Sequence, residues 1–252
     1  MRILVCVKRV PITGGRMVLT ADEQALETKH LGFTISPHEE CAVEEAVRIV
    51  EAGGGEVVVL TLGPGEAEDQ LRDCMAIGAD RGILLRVERD WDAQATAAAI
   101  VEAVREDEPF DLVLFGNESA DAGNYQVAVR VAYALGLPVV NGIKGITIDG
   151  AGLRCERERT SHPPGRDVYV VPMPAVVSVL EGINLPRYPS VPGRMRAKRK
   201  PLAASEPART RPRLEMVRLK LPASSSKQAE VLGHGPEAAP RVVEILSEIG
   251  VM

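Results

Sequence analysis

Aromatic side chains make up only 3% of this 252-residue chain, and tryptophan occurs once. A core without rings must be built from Val, Leu, Ile and Ala, which suits helices packed on a parallel sheet. Cysteine is sparse: Cys6, Cys41, Cys74 and Cys155 are widely spaced and form no C-x-x-C pair. They read as free thiols in a reducing cytoplasm, holding neither disulfide nor metal. His30, His38, His162 and His234 are as scattered, with no metal-ligand spacing. Long apolar runs are missing too. Met1–Val7 is too short for a signal peptide and is stopped by Lys8 and Arg9, and nothing approaches the roughly 20 apolar residues of a membrane span. A net charge of −5 gives no overall sign of nucleic-acid binding. Catalytic signatures are absent as well: there is no G-x-S-x-G, no G-x-x-x-x-G-K-[ST] and no G-x-G-x-x-G. Glu118 and Asp121 read as hydrogen-bonding or solvated loop carboxylates rather than general bases.

What is present is an apolar share of 45%, enough for a sizeable core, organised around residues 111–128. Leu112–Phe115 reads as a buried parallel strand ending at Gly116. A small polar loop follows, and a helix is expected to open near Asn124. Unpaired N–H groups at a helix N-terminus beside a strand's carboxyl end offer a place for a phosphate. Gly116 and Gly123 would let the backbone approach a ligand, with Ser119, Asn124 and Gln126 as hydrogen-bonding groups. An ordinary strand–loop–helix connection capped by Asn124 fits the local sequence equally well.

The rest of the chain favours a ligand. Arg2–Val7 is a first strand. Met17–Thr20 with His30–Ile35 is expected to form a small hairpin over the sheet edge. Ser36, Pro37 and Glu39 make an N-cap, first-turn proline and capping box. Ala42, Val43, Ala46, Val47 and Val50 then form one helical stripe that Gly53–Gly55 stops. Val57–Leu62 and Ile83–Val87 are strands. Gly63-Pro-Gly65 turns into a helix bearing Leu71 and Met75, and Asp92 caps an alanine-rich helix. These units predict a doubly wound α/β domain with a ligand beyond the strands' carboxyl ends, where Cys6–Arg9, Leu62–Gly65 and Gly116–Val127 meet. After Pro138, four short strands (143–148, 153–159, 167–171 and 175–180) are expected to extend the sheet. Residues 184–201 read as a proline-punctuated basic arm whose Tyr188, Val191 and Met195 insert into a partner. Residues 201–238 are expected to lie irregularly over a surface. Val242, Val243, Leu246 and Ile249 would form a last short helix. The boundary falls between a nucleotide-binding domain, 1–185, and an arm with extension, 186–252. A nucleotide-binding fold without catalytic equipment suggests a subunit rather than a complete enzyme.

Val5-Cys-Val-Lys-Arg-Val10, Pro37-His-Glu-Glu-Cys-Ala-Val-Glu-Glu-Ala46, Gly78-Ala-Asp80 and Asn184-x-Pro-Arg-Tyr188 followed by Met195–Pro201 carry a more specific signal. Through them the chain resembles the beta subunit of electron transfer flavoprotein, including its nitrogen-fixation-associated branch. The resemblance implies a Rossmann-like, adenine-nucleotide-binding fold. It implies a heterodimer with an alpha subunit that holds a redox FAD, taking electrons from flavin dehydrogenases towards a quinone-linked acceptor. AMP would sit in this subunit, or a second FAD in an electron-bifurcating relative that oxidises NADH. The carried-over contacts are Cys6, Ser36, Pro37, His38, Glu39, Leu62, Gly116, Asn117, Glu118, Ser119, Ala120, Asp121, Ala122, Gly123, Asn124, Tyr125, Gln126 and Val127, with Val191 as the docking side chain. Ser36 replaces a usual Asn, His38 an aromatic, Glu118 a Gln, and Thr13 a Tyr that some members place near the flavin. The rival from another class is an ATP-binding stress or regulatory protein.

Overall fold

The computed structural model describes residues 1–252 apart from 13, 15, 16, 151, 162, 209, 222–229 and 252. Thr13 and His162 therefore lie outside the described residues. In chain order the elements are β1 (Arg2–Cys6), β2 (Val10–Pro11), β3 (Phe33–Thr34), α1 (Pro37–Gly53), β4 (Glu56–Gly63), α2 (Glu68–Ile77), β5 (Arg81–Arg86), α3 (Ala93–Glu106), β6 (Leu112–Gly116) and α4 (Val127–Leu135). They continue with β7 (Val139–Ile143), β8 (Gly145–Asp149), β9 (Gly152–Arg159), β10 (Gly165–Pro172), β11 (Ala175–Val179), α5 (Val191–Ala197), β12 (Leu202–Ser205) and α6 (Ala239–Glu248).

A 7-stranded sheet in the order β12-β5-β4-β1-β6-β11-β7 forms the centre. Every pairing in it is parallel. The inner strands are apolar on both faces, as a sheet covered on both sides requires. Ile3, Val5, Val57, Val59, Leu112 and Leu114 join α1 and α2 in one core. Leu4, Cys6, Val58, Leu60, Val113 and Phe115 join α3 and α4 in the other. The small residues Ala95, Ala97 and Ala99 of α3 are all buried, so aliphatic packing replaces the missing rings. Strand order reverses between β1 and β6, because β4 and β5 lie to one side of β1 and β6 to the other.

Four expectations change. Of the four strands expected to extend the central sheet only the last, β11, joins it, beside β7, whose residues 139–142 lie outside those four. β8, β9 and β10 form a separate antiparallel 3-stranded sheet. Their alternating sequences bury one face only, through Leu153 and Cys155 of β9. Such one-sided strands cannot enter a sheet covered on both sides. Secondly, the hairpin before α1 pairs β2 with β3, leaving Leu19↔Leu26 as an isolated bridge.

Thirdly, the basic arm is not extended throughout. Ser190 caps α5 by accepting from Gly193 N at 3.1 Å. A Cβ on Gly193 would stand 2.5 Å from Ala76 O, so this glycine brings α5 close against α2. Lys200 Nζ donates to Met75 O at 3.1 Å and Ala79 O at 2.6 Å, completing the carboxyl end of α2. β12 then lies parallel to β5. The boundary expected at 185 is thus crossed by a helix and a strand that belong to the central layers. Fourthly, α4 begins at Val127 with Gln126 as N-cap, not at Asn124.

Beyond β12 the described backbone is mostly irregular. Asp92 Oδ2 accepts from Arg213 N at 2.7 Å and Leu214 N at 3.0 Å, which tethers it. α6 forms where the periodicity places it, with none of its residues buried.

Candidate functional site

A cavity of about 270 Å³ opens where the carboxyl ends of β1, β4 and β6 meet. Cys6, Leu60, Leu62, Phe115, Trp91 and Ile100 give it an apolar lining, and Lys8, Glu39, Asn117, Thr96, Asn141 and Ser178 add polar groups. This is the position at which doubly wound sheets bind ligands, since loops diverge to opposite faces at the strand-order reversal. Val127 and Ala128 bring the first turn of α4 to the cavity, and Gln126 makes no side-chain capping bond to it. The first turn of α4 thus borders the cavity with no side-chain cap on its N–H groups.

Two acidic loops converge on Lys8. Its Nζ pairs with Asp121 Oδ2 at 2.6 Å and Asp90 Oδ2 at 2.9 Å. Burial pulls the Lys8 ammonium down, but the two carboxylates outweigh it and leave the group raised. Asp121 is correspondingly held below the usual carboxylate range, its own burial overcome chiefly by Lys8. Glu39 is buried and accepts from Ser36 N at 2.9 Å and Lys8 N at 3.0 Å. Burial pushes its carboxyl up to about 8 against the pull of those N–H groups. One side chain thus joins the end of β1 to the start of α1. Burial also pushes the Cys6 thiol up, so it is a neutral, apolar part of the lining.

The expected contacts divide in two. Cys6, Glu39, Leu62, Gly116, Asn117, Glu118, Ser119, Asn124, Tyr125, Gln126 and Val127 line the cavity. Ser36, Pro37, His38, Ala120, Asp121, Ala122 and Gly123 are not among its lining residues. Most of these shape it from behind. Ser36 Oγ accepts from Ala120 N at 2.9 Å; Pro37 opens α1. His38 Nδ1 accepts from Glu181 N at 2.9 Å, and its Nε2 lies 3.3 Å from Glu118 Oε1. Glu118 in turn accepts from Tyr125 Oη. Ala122 N bonds Asp121 Oδ1 at 2.7 Å. Gly116 serves a close contact within the chain itself. A Cβ on Gly116 would meet Glu39 Cγ at 2.6 Å and Glu39 N at 3.0 Å, so Gly116 is where α1 and β6 touch. Gly123 takes φ +52°, where a Cβ would meet Tyr125 Cε2 at an ordinary 3.9 Å, and Tyr125 itself takes φ 54°; the loop's shape needs that turn.

The arm is pinned at one end and bare along its apolar side. Asn184 Nδ2 donates to Cys41 O at 3.0 Å and Glu45 Oε2 at 2.9 Å. Arg187 pairs with buried Glu44 at 2.9 Å and with Glu51 at 2.7 Å. Tyr188, Val191 and Met195 are left 95%, 76% and 58% exposed.

A family model of the electron transfer flavoprotein domain matches residues 25–210. The chain belongs to the electron transfer flavoprotein family. It is 35% identical over 245 residues to electron transfer flavoprotein subunit beta of Syntrophomonas wolfei, covering 97% of this chain and 95% of that one. The same subunit of Bacillus subtilis is 32% identical over 257 residues, with 98% and 97% covered. The caffeyl-CoA reductase-Etf complex subunit CarD of Acetobacterium woodii is 33% identical over 205 residues, with 80% and 77% covered. These matches place the chain among the electron transfer flavoprotein beta subunits, and its role is electron transfer. No helix among the described residues is long and apolar enough to cross a membrane.

Some lining residues of this electron transfer flavoprotein subunit escaped sequence reasoning. Lys8 falls in the Cys6–Arg9 loop expected at the site, but the sequence assigns it no contact of its own there. Trp91, the single tryptophan, sits one residue before the N-cap of α3, a position that could have pointed to a strand-end loop. Ser178 and Asn141 had no such signal. Ser178 Oγ donates to Asn117 Oδ1 at 2.9 Å and accepts from Gly142 N at 3.0 Å, linking β11 and β7 to the loop after β6.

Proposed function

We propose that this subunit, joined to an alpha subunit, forms an FAD-containing electron carrier and holds AMP in the cavity at the sheet's switch point. The cavity is the observation that carries the reading. Its volume of about 270 Å³ lies near the lower end for small-molecule sites, roughly 300–1,000 Å³. That suits a mononucleotide better than a dinucleotide such as FAD. The aliphatic and aromatic lining suits a base, and the uncapped first turn of α4 suits a phosphate. The redox chemistry belongs to the flavin shared with the alpha subunit; this chain's residues shape, orient and dock. Tyr188, Val191 and Met195, exposed on an arm anchored by Arg187, present apolar anchors to a flavin dehydrogenase. Electrons then pass towards a quinone-linked acceptor.

Cofactor extraction from the co-expressed alpha–beta complex tests this, with chromatographic counting of AMP and FAD. One of each per heterodimer is the expected result. Two FADs and no AMP would replace the mononucleotide reading with a bifurcating one. No complex and no flavin would overturn the carrier reading itself.

A further inference from the structure

If the cavity takes a mononucleotide, its phosphate needs a positive partner, and Lys8 is a poor one. Its ammonium is already matched by Asp121 at 2.6 Å and Asp90 at 2.9 Å. Glu39 and Glu118, also in the lining, add acid rather than base. Another cation stands just outside the lining, on the helix side. Arg130, one turn into α4, sends Nε and Nη2 to Gln126 Oε1 at 3.2 and 2.9 Å. Its Nη1 goes to Gln94 Oε1 at 3.2 Å. Gln126 lines the cavity, and Gln94 follows Ala93, which lines it too.

The guanidinium therefore bridges the first turns of α3 and α4, the two helices that open at the site. Both of its acceptors are neutral amide carbonyls. Among the described residues it forms no ion pair with a carboxylate. Asp92, close enough to be influenced by its charge, is bound instead to Ala95 N at 2.7 Å, Arg213 N at 2.7 Å and Leu214 N at 3.0 Å. A planar fork held by neutral acceptors has its charge uncommitted. Exchange of an amide oxygen for a phosphate oxygen gains a charge-assisted, bidentate bond.

We infer that Arg130 is the phosphate-gripping residue of this cavity, released from Gln126 onto a nucleotide monophosphate held at the first turn of α4. The inference rests on the mononucleotide reading above. It makes the site selective for phosphorylated over unphosphorylated nucleosides, with Lys8 serving to tie two loops rather than to bind anion.

Titration calorimetry on the alpha–beta complex, stripped of bound nucleotide, with AMP and with adenosine separates the possibilities. Arg130→Gln is expected to weaken AMP binding roughly ten- to a hundredfold and leave adenosine unchanged. Arg130→Lys, which keeps the charge and loses the fork, is expected to recover part of the loss. Equal losses for both ligands would overturn the inference and make Arg130 a brace between α3 and α4. Unaltered AMP affinity in Arg130→Gln would overturn it as well, as would a native complex that binds adenosine as tightly as AMP. A native complex binding neither ligand would overturn the mononucleotide reading and this inference together.

Discussion

The two ends of β1 use charge in opposite ways. At the amino end, Arg2 and Arg81 share two carboxylates. Arg2 reaches Glu56 at 3.0 Å and Asp107 at 3.1 Å; Arg81 reaches Glu56 at 2.9 Å and Asp107 at 2.7 Å. Burial alone would raise both acids, yet the arginines hold them below the usual carboxylate range. The ring is matched in sign and closed on itself. At the carboxyl end, one lysine meets two aspartates, a buried glutamate lies within reach, and a helix opens uncapped. The first arrangement leaves nothing for a ligand to satisfy, whereas the second does. Stability and function are thus divided along a single strand, as strand-end ligand binding in open α/β sheets implies.

The largest expected effect comes from forcing the carboxyl end apart. Gly116→Val would drive a side chain into Glu39 and the start of α1, destabilising the fold by about 3 kcal/mol, the upper end for overpacking. It should also empty the cavity of nucleotide. Urea midpoints and nucleotide content together check it; a stable, loaded variant would show that α1 and β6 are not held by that contact. At the amino end, Arg81→Ala should cost about 1–2 kcal/mol, as expected for a partly exposed network, while leaving nucleotide content unchanged. Loss of nucleotide in that variant would erase the contrast between the ends.

A pH series sharpens the contrast. Glu39 has a folded-state pKa of about 8 against an ordinary value of 4.5, so between those values the folded chain binds the extra proton. Its contribution to stability is therefore full below pH 4.5 and declines as pH rises towards 8. The melting temperature should fall across that window, and Glu39→Gln should flatten the fall. A native curve that rises through it would contradict this assignment. The smallest change in stability belongs to Val191→Ala, within about 0.5 kcal/mol for so exposed a residue. Electron transfer from a flavin dehydrogenase should nonetheless slow, with FAD content intact; unchanged rates would remove the arm from docking.

How much of this was legible depends on whether the deciding contacts are local. Ser36, Pro37 and Glu39 announce α1 within four residues, and the two-sided strands announce the central sheet. The loop after Gly116 was found because a strand end and a helix start bracket it. The separate sheet of β8, β9 and β10 was missed as such. Alternation in Leu153–Arg159 marks a strand but not which sheet receives it. α5 carries a serine N-cap and a first-turn proline as α1 does, at Ser190 and Pro192, but the prolines and basic residues around it read as an extended arm. Only the fold shows Gly193 against Ala76 O. In the site, strand-end residues such as Cys6 and Leu62 could be placed from sequence. Trp91 and Ser178 arrive through crossovers whose packing no local pattern encodes, and the pairing of Lys8 with Asp90 and Asp121 depends on the same long-range geometry.

The late strand β12 has a consequence for how the molecule is made. β5 acquires its outer neighbour only when residues 202–205 have emerged, long after the N-terminal strands have been synthesised. Until then its backbone N–H and C=O groups form an open edge, the kind of surface on which unfinished chains join one another. A chain terminated soon after β11 would carry that edge permanently, together with an α2 whose last carbonyls lack Lys200. Such a truncation should partition into aggregates rather than persist as a smaller nucleotide-binding unit, and a nascent chain paused there would depend on a chaperone to keep the edge covered.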